Sequence, residues 1–271
     1  MKTTALVPHL FEARQLCVQF PGRRRTTPVK ALSDLDVQWF QGEVLGILGS
    51  SGSGKSTLGR VFLGLQQPSS GEVLYQGRSL STAVRTSTFR RQVQMIFQDP
   101  YQSLNPRRTV GEQVLEGLQI HRIGQAAPER TALAVAALEL SGLAPADRYW
   151  NRYPHQLSGG QRQRVVIAAA LALSPTALVC DEPVSALDVS VRSQVLQVLH
   201  RLRHEHGIGL LFITHDVGLA WAMCDRIAVL HNGRIVETGR TEDVLKYPQH
   251  PFTRELIGAA PGVLSRKGGM E

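Results

Sequence analysis

Glycines, one lysine and a pair of adjacent carboxylates carry the chemistry in this chain. Gly49-Ser50-Ser51-Gly52-Ser53-Gly54-Lys55-Ser56-Thr57 fits the pattern of a glycine, four residues, then Gly-Lys-Ser, which is that of a phosphate-cradling loop. Glycine at these places admits a backbone approach that a Cβ would block. Successive N–H groups can then ring a phosphate, helped by the positive end of the helix that follows. Lys55 supplies a cation for the β- and γ-phosphates, and the Ser56 hydroxyl is placed to ligate Mg²⁺. Asp181 and Glu182 follow the short apolar stretch Ala177-Leu178-Val179-Cys180. A carboxylate at the C-terminal end of a strand in an α/β sheet faces the ligand crevice. Asp181 is therefore expected to hold Mg²⁺ through its water shell, and Glu182 to polarise the water that attacks a γ-phosphate. Alone, an Asp-Glu pair is usually a solvated surface pair; its position after a complete phosphate loop gives it chemical meaning.

The elements that must position these groups follow from periodicity. Val44-Leu45-Gly46-Ile47-Leu48 is a continuous apolar run and reads as a buried strand leading into the loop. A helix is expected from near Gly54, with Leu58, Phe62 and Leu65 on its buried side. Residues 14–20 alternate polar and apolar, as an edge strand does, and so does Leu35-Asp36-Val37-Gln38-Trp39. Gly71 to Gly77 reads as a short strand between turns. From about residue 100 to 160, alanine- and leucine-rich stretches replace β-branched alternation, so a helical subdomain (approximately 99–165) is expected inside an α/β core spanning 9–250, with 251–271 as a tail. Strand–helix alternation resumes with a strand at Ala177–Cys180, a helix over roughly 190–204 striped by Val191, Val195, Val198 and Leu202, and a strand at Leu210–Thr214.

Composition excludes several classes. The 271 residues are 42% hydrophobic and 19% charged, ordinary for a globular protein with a sizeable core. No apolar run approaches the roughly 20 residues of a membrane-spanning helix, and the N-terminus has no sustained apolar segment of a secretion signal. A cytoplasmic protein able to dock on a membrane is the expectation. The net charge of +8 is scattered apart from Arg23-Arg24-Arg25, which reads first as a generally basic surface and next as attraction to anionic lipid. Cys17, Cys180 and Cys224 are distant and odd in number. They read as buried reduced thiols rather than a disulfide framework or zinc site.

Further along, Leu157-Ser158-Gly159-Gly160-Gln161 resembles the signature of the ATP-binding cassette family, and Ser185-Ala186-Leu187-Asp188 is similar to its D-loop. Gln98 stands where that family has the Q-loop glutamine, and His215 where it has the switch histidine. The motifs occur in the family's order over nearly the whole chain. The resemblance implies a P-loop core with a mixed sheet, an N-terminal antiparallel β subdomain and an inserted helical signature subdomain. It implies ATP hydrolysis with Mg²⁺ held by Ser56, Gln98 and Asp181, and catalysis by Glu182, His215 and Gln98. It also implies that Ser158, Gly159, Gly160 and Gln161 clasp the γ-phosphate bound by an opposing subunit, with Asp188 in the D-loop. Phe20 is the candidate for stacking on adenine, and Phe11 the weaker choice.

Finer features are similar to importers of peptides and nickel: Phe97-Gln98-Asp99-Pro100-Tyr101-Gln102-Ser103-Leu104-Asn105-Pro106-Arg107, Asp181 to Ser190, and His250-Pro251-Phe252-Thr253-Arg254-Glu255-Leu256. No cysteine cluster follows Pro261, a slight lean toward the shorter nickel or metal-chelate members. One departure is Ala169, where the family commonly has arginine; it falls outside the phosphate contacts, so activity is expected to survive. The implied assembly is a second cassette subunit (a paralogue), two permease subunits and an extracytoplasmic binding protein, with this chain peripheral on the cytoplasmic face of the membrane and no nucleic acid. The alternatives are a cassette ATPase acting on nucleic acid or ribosomes, and a plain P-loop kinase. The first lacks the long coiled coil or second cassette of those types; the second requires the signature to be coincidence.

Overall fold

The computed structural model describes residues 9–21 and 27–259. The Arg23-Arg24-Arg25 cluster and the tail after Ala259 lie outside the described residues. The chain divides into two compact units, one of residues up to Thr86 together with those from Gly209 onward, the other of Ser87–Ile208.

The first unit begins with β1 (His9–Phe20) and β2 (Val29–Phe40), then β3 (Val44–Leu48), α1 (Lys55–Phe62), β4 (Ser70–Tyr75), β5 (Arg78–Ser79) and α2 (Leu80–Ala83). An antiparallel sheet runs in the order β2-β1-β4-β5. The alternating segment in β1 is therefore internal, paired on both sides, and not the edge strand its pattern suggested. Alternation reports one wet face, which an inner strand of an antiparallel sheet also has. The dry face holds an aromatic cluster: the Phe11 ring centroid lies 4.8 Å from Phe62 and 5.4 Å from Trp39. Helix α1 buries Leu58 and Phe62 as expected, but it ends there and Leu65 is 64% exposed. The Leu65 N–H turns back onto the Arg60 carbonyl, a helix-closing bond that swings the next residue off the buried stripe.

The second unit contains α3 (Ser87–Gln92), β6 (Val93–Ile96), α4 (Pro100–Ser103), α5 (Val110–Ile120), α6 (Ala127–Leu140), α7 (Asp147–Trp150), a 3-10 turn (Pro154–Gln156), α8 (Gly159–Leu171), β7 (Ala177–Asp181) and α9 (Val189–His206). Strands β6 and β7 pair in parallel. The helices bury Val114, Leu118, Leu138, Val165 and Ile167 completely. On α9, Val195, Val198 and Leu202 are buried, with Val191 half-buried in the first turn.

The chain then returns to the first unit with β8 (Gly209–Thr214), α10 (Val217–Met223), β9 (Arg226–His231), β10 (Arg234–Arg240), α11 (Thr241–Lys246) and α12 (Pro251–Gly258). Within this unit β3 lies between β8 and β9, parallel to both, and β10 is antiparallel to β9. That is the mixed sheet expected of a P-loop core. All three cysteines are free; Cys180 and Cys224 are buried, whereas Cys17 is only half-buried and its Sγ accepts from the Asp34 N–H at 3.2 Å. Burial pushes the Cys180 thiol far above its ordinary pKa, which makes it inert.

Candidate nucleotide site

The phosphate loop leaves the C-terminal end of β3. Gly54 has φ +108°, and a Cβ there would lie 2.4 Å from the Ala31 carbonyl oxygen. Only glycine satisfies both demands. Lys55 opens α1 and is 6% exposed; its Nζ donates to the Gly49 carbonyl at 2.9 Å and the Ser50 carbonyl at 2.8 Å. The lysine thus braces the loop as well as charging it. The Ser53 hydroxyl is buried without a hydrogen-bond partner, a donor that a phosphate oxygen would satisfy. Ser50, Ser51 and Gly52 are exposed, and Ser56 and Thr57 are half-buried.

His215 belongs to the same edge. Parallel β3 and β8 set Leu48 opposite Thr214, so Gly49 and His215 leave the sheet side by side. Thr214 Oγ1 accepts from the Asp216 N–H at 3.0 Å, and Asp216 caps α10 by accepting from Leu219 N–H at 3.1 Å. His215 is thereby fixed between a strand end and a capped helix, with its ring exposed.

In the second unit, parallel β6 and β7 set Ile96 opposite Cys180. Gln98 and the carboxylate pair therefore emerge together. Asp181 is buried at the end of β7, and Gln98 Nε2 donates to Glu182 Oε2 at 3.3 Å. Glu182 has φ +46°, the left-handed region. Ser185 supports that turn through its N–H and its hydroxyl, both onto the Glu182 carbonyl at 3.2 and 3.0 Å. Nothing in the sequence reading pointed to this torsion.

The signature residues start α8. Ser158 Oγ accepts from Gln161 N–H at 3.3 Å, while Gln161 Oε1 accepts from Ser158 N–H at 3.0 Å. The Ser-x-x-Gln spacing is that of a reciprocal capping box, which gives these residues a structural role beside the expected phosphate contact. The Ser158 hydroxyl accepts the cap bond, which leaves its O–H available as a donor. Gly160 has a second duty: a Cβ there would sit 2.0 Å from Val191 Cγ1, so glycine is what lets α8 pack on α9. Asp188 occupies the N-cap position of α9 and is exposed.

Phe20, the last residue of β1, is 37% exposed, so its ring is accessible. Phe11, the weaker adenine candidate, is fully buried in the aromatic cluster and is ruled out. Ala169 faces a groove of about 510 Å³ shared with Phe97, Glu116, Ile120 and Leu173. A larger cavity, about 950 Å³, opens at the N-terminal ends of β3 and β9, opposite the phosphate loop. Along its wall Glu43 pairs with Arg226 at 3.0 Å and Glu242 with Lys246 at 2.5 Å, and Asp225 Oδ2 accepts from the Val44 N–H at 2.9 Å.

Residues 32–185 match the family model described as ABC transporter. The chain belongs to the ABC transporter family. This ABC chain is 46% identical over 261 residues to the glutathione import ATP-binding protein GsiA of Salmonella typhimurium, covering 93% of this chain and 41% of that protein. It therefore spans less than half the length of those relatives. It is 43% identical over 255 residues to the oligopeptide transport ATP-binding protein OppF of Bacillus subtilis, covering 93% and 82% respectively. Among solved structures, the dimeric post-hydrolysis state of the ATP-binding cassette MJ0796 bound to ADP and Pi matches with a TM-score of 0.74 and 30% identity, over 85% of this chain and 98% of that one.

Proposed function

We propose that this chain is the ATP-hydrolysing subunit of an importer for peptide-class solutes. The observation that carries the reading is the strained Glu182, held by Gln98 directly after Asp181. A carboxylate kept in an unfavourable torsion and aimed by a neighbouring amide suits the positioning of an attacking water. Relatives named for glutathione and oligopeptide import favour peptides over nickel as the solute.

The residues divide the work as follows. The amides of Gly49 to Thr57 hold the β-phosphate, and Lys55 turns part of its charge to the β- and γ-phosphates. Phe20 stacks on adenine. Oxygen donors from Ser56, Gln98 and Asp181 suit Mg²⁺, which when bound neutralises charge on the phosphates. Glu182 orients water, His215 contacts the γ-phosphate, and Asp188 lies in the D-loop. Ser158, Gly159, Gly160 and Gln161 cover the nucleotide of an opposing subunit. The partners are a second cassette, by preference a paralogue, two permeases and an extracytoplasmic binding protein. The chain acts on the cytoplasmic face of the membrane; among the described residues no helix is long and apolar enough to cross it.

Glu182→Gln tests the reading. ATP binding should persist while hydrolysis falls by about 10²-fold or more; hydrolysis near the wild-type rate would overturn it. In cells carrying the whole assembly, Lys55→Ala should abolish uptake of a labelled short peptide.

A further inference from the structure

We infer that Tyr101 is a positioning residue for the signature turn, acting through Arg162. The Arg162 guanidinium lies 3.7 Å from the centroid of the Tyr101 ring, well inside cation–π range. Arg162 is 8% exposed. Its Nη2 donates to the Leu157 carbonyl at 2.7 Å and its Nε to the Ser158 carbonyl at 3.4 Å. Those carbonyls belong to the residue before the α8 cap and to the cap itself. The guanidinium therefore pins the turn that presents the Ser158 hydroxyl.

Arg162 needs help to stay there. Its buried Nη1 has no hydrogen-bond partner, and burial alone pulls its pKa downward. The electron-rich ring face is the compensating contact. Tyr101 is in turn fixed by its own backbone: Asp99 Oδ1 accepts from the Tyr101 N–H at 2.8 Å, with Pro100 opening the single turn of α4. The ring is 64% exposed, so core burial does not account for it. A second tie runs beside it, from Gln163 Nε2 to the Phe97 carbonyl at 3.5 Å. Contacts on both sides of Gln98, at Phe97 and at Tyr101, thus tie this segment to the first turns of α8. The consequence for turnover rests on the proposed role of the signature turn as an ATP contact.

Hydrogen exchange at the Leu157, Ser158 and Gln161 amides of the full chain tests the positioning directly. Tyr101→Ala should speed exchange about tenfold, and Tyr101→Phe, which keeps the ring, should not. Arg162→Lys should match Tyr101→Ala, and the double variant should add nothing further. Unchanged exchange in Tyr101→Ala, failure of phenylalanine to preserve protection, or additive effects would overturn the inference. ATPase assays form the second arm: Tyr101→Ala should lower kcat/KM for ATP, with Tyr101→Phe restoring it. If exchange responds as stated while kcat/KM does not, the positioning stands and the signature turn loses its assigned ATP contact.

Discussion

Glu182 holds φ +46°, a torsion that disfavours any residue with a Cβ by about 1–2 kcal/mol. The turn persists because Ser185 bonds the Glu182 carbonyl twice and Gln98 bonds its carboxylate. Glu182→Gly should therefore raise the unfolding free energy by about 1 kcal/mol in urea denaturation and abolish hydrolysis. A loss of more than about 1 kcal/mol would mean that the side-chain contact, not the strain, dominates this residue. The carboxylate's chemistry was legible in its type and neighbours, whereas its torsion was not, since no residue type announces it. Phe11 and Phe20 show a second limit. Both lie on β1, yet one is core and the other accessible. Register shifts between Ala13 and Leu16, with Gln15 at φ +48°, move the buried phase of β1 from Phe11 and Ala13 to Leu16 and Val18, and Phe20 is accessible as the last residue of the strand. Irregularities of this kind re-aim side chains, and alternation counted from the sequence cannot see them.

At the scale of elements, α8 is held at both its start and its side. Gly160 allows α9 to approach, so Gly160→Ala should destabilise the chain by about 1–3 kcal/mol through overpacking. Adding Val191→Ala should recover most of that stability, because it removes the methyl that collides. Chemical denaturation of the single and double variants decides; no recovery would place the clash elsewhere. Helix α12 depends on a different device. Glu237 accepts from the Gln249 and His250 N–H groups at 2.9 and 3.0 Å, beside the buried Thr253 hydroxyl, and the Phe252 ring stacks on His231 at 3.8 Å. Burial alone would raise the Glu237 pKa, but Thr253 and the two N–H donors outweigh it and hold the carboxyl below the usual range. A depressed folded pKa means that this anchorage is complete above the unfolded value, about 4.3, and is lost as pH falls through the folded one. Protection of the amides of residues 252–258, taken relative to the intrinsic exchange rate at each pH, should therefore fall sharply on acidification, and Glu237→Gln should show the lowered protection already at neutral pH. The strands around the site were legible as short continuous apolar runs, buried at every position, and α1 and α9 by their helical stripes. The end of α1 was not, since Leu65 keeps the helical spacing while the backbone has already turned away. The capping box at Ser158 and Gln161 was legible in principle, but phosphate chemistry had claimed the same residues.

For the molecule as a whole, the proposed mechanism gives each chain two unequal halves of an ATP site: the loop from Gly49 to Thr57, and the turn from Ser158 to Gln161. Each half has its own donors: the loop amides with the buried Ser53 hydroxyl, and the helix-start amides with the Ser158 hydroxyl. If the halves work in different chains, damage to one half in one chain can be offset by an intact half in another. Lys55→Ala ruins only the loop, and Ser158→Arg ruins only the turn. Each variant alone should be nearly inactive, since every site in its dimer contains the lesion. Mixed in equal amounts, random pairing makes half the dimers mixed, and each mixed dimer has one wholly intact site. Hydrolysis should then recover to about a quarter of the wild-type rate under the two-fold pairing assumed. Where turnover requires a paralogous partner, the same recovery should appear only after that partner is added, with the lesions placed on opposite chains. A mixture no more active than its components, in a preparation where sedimentation shows mixed dimers, would mean that loop and turn serve the same chain.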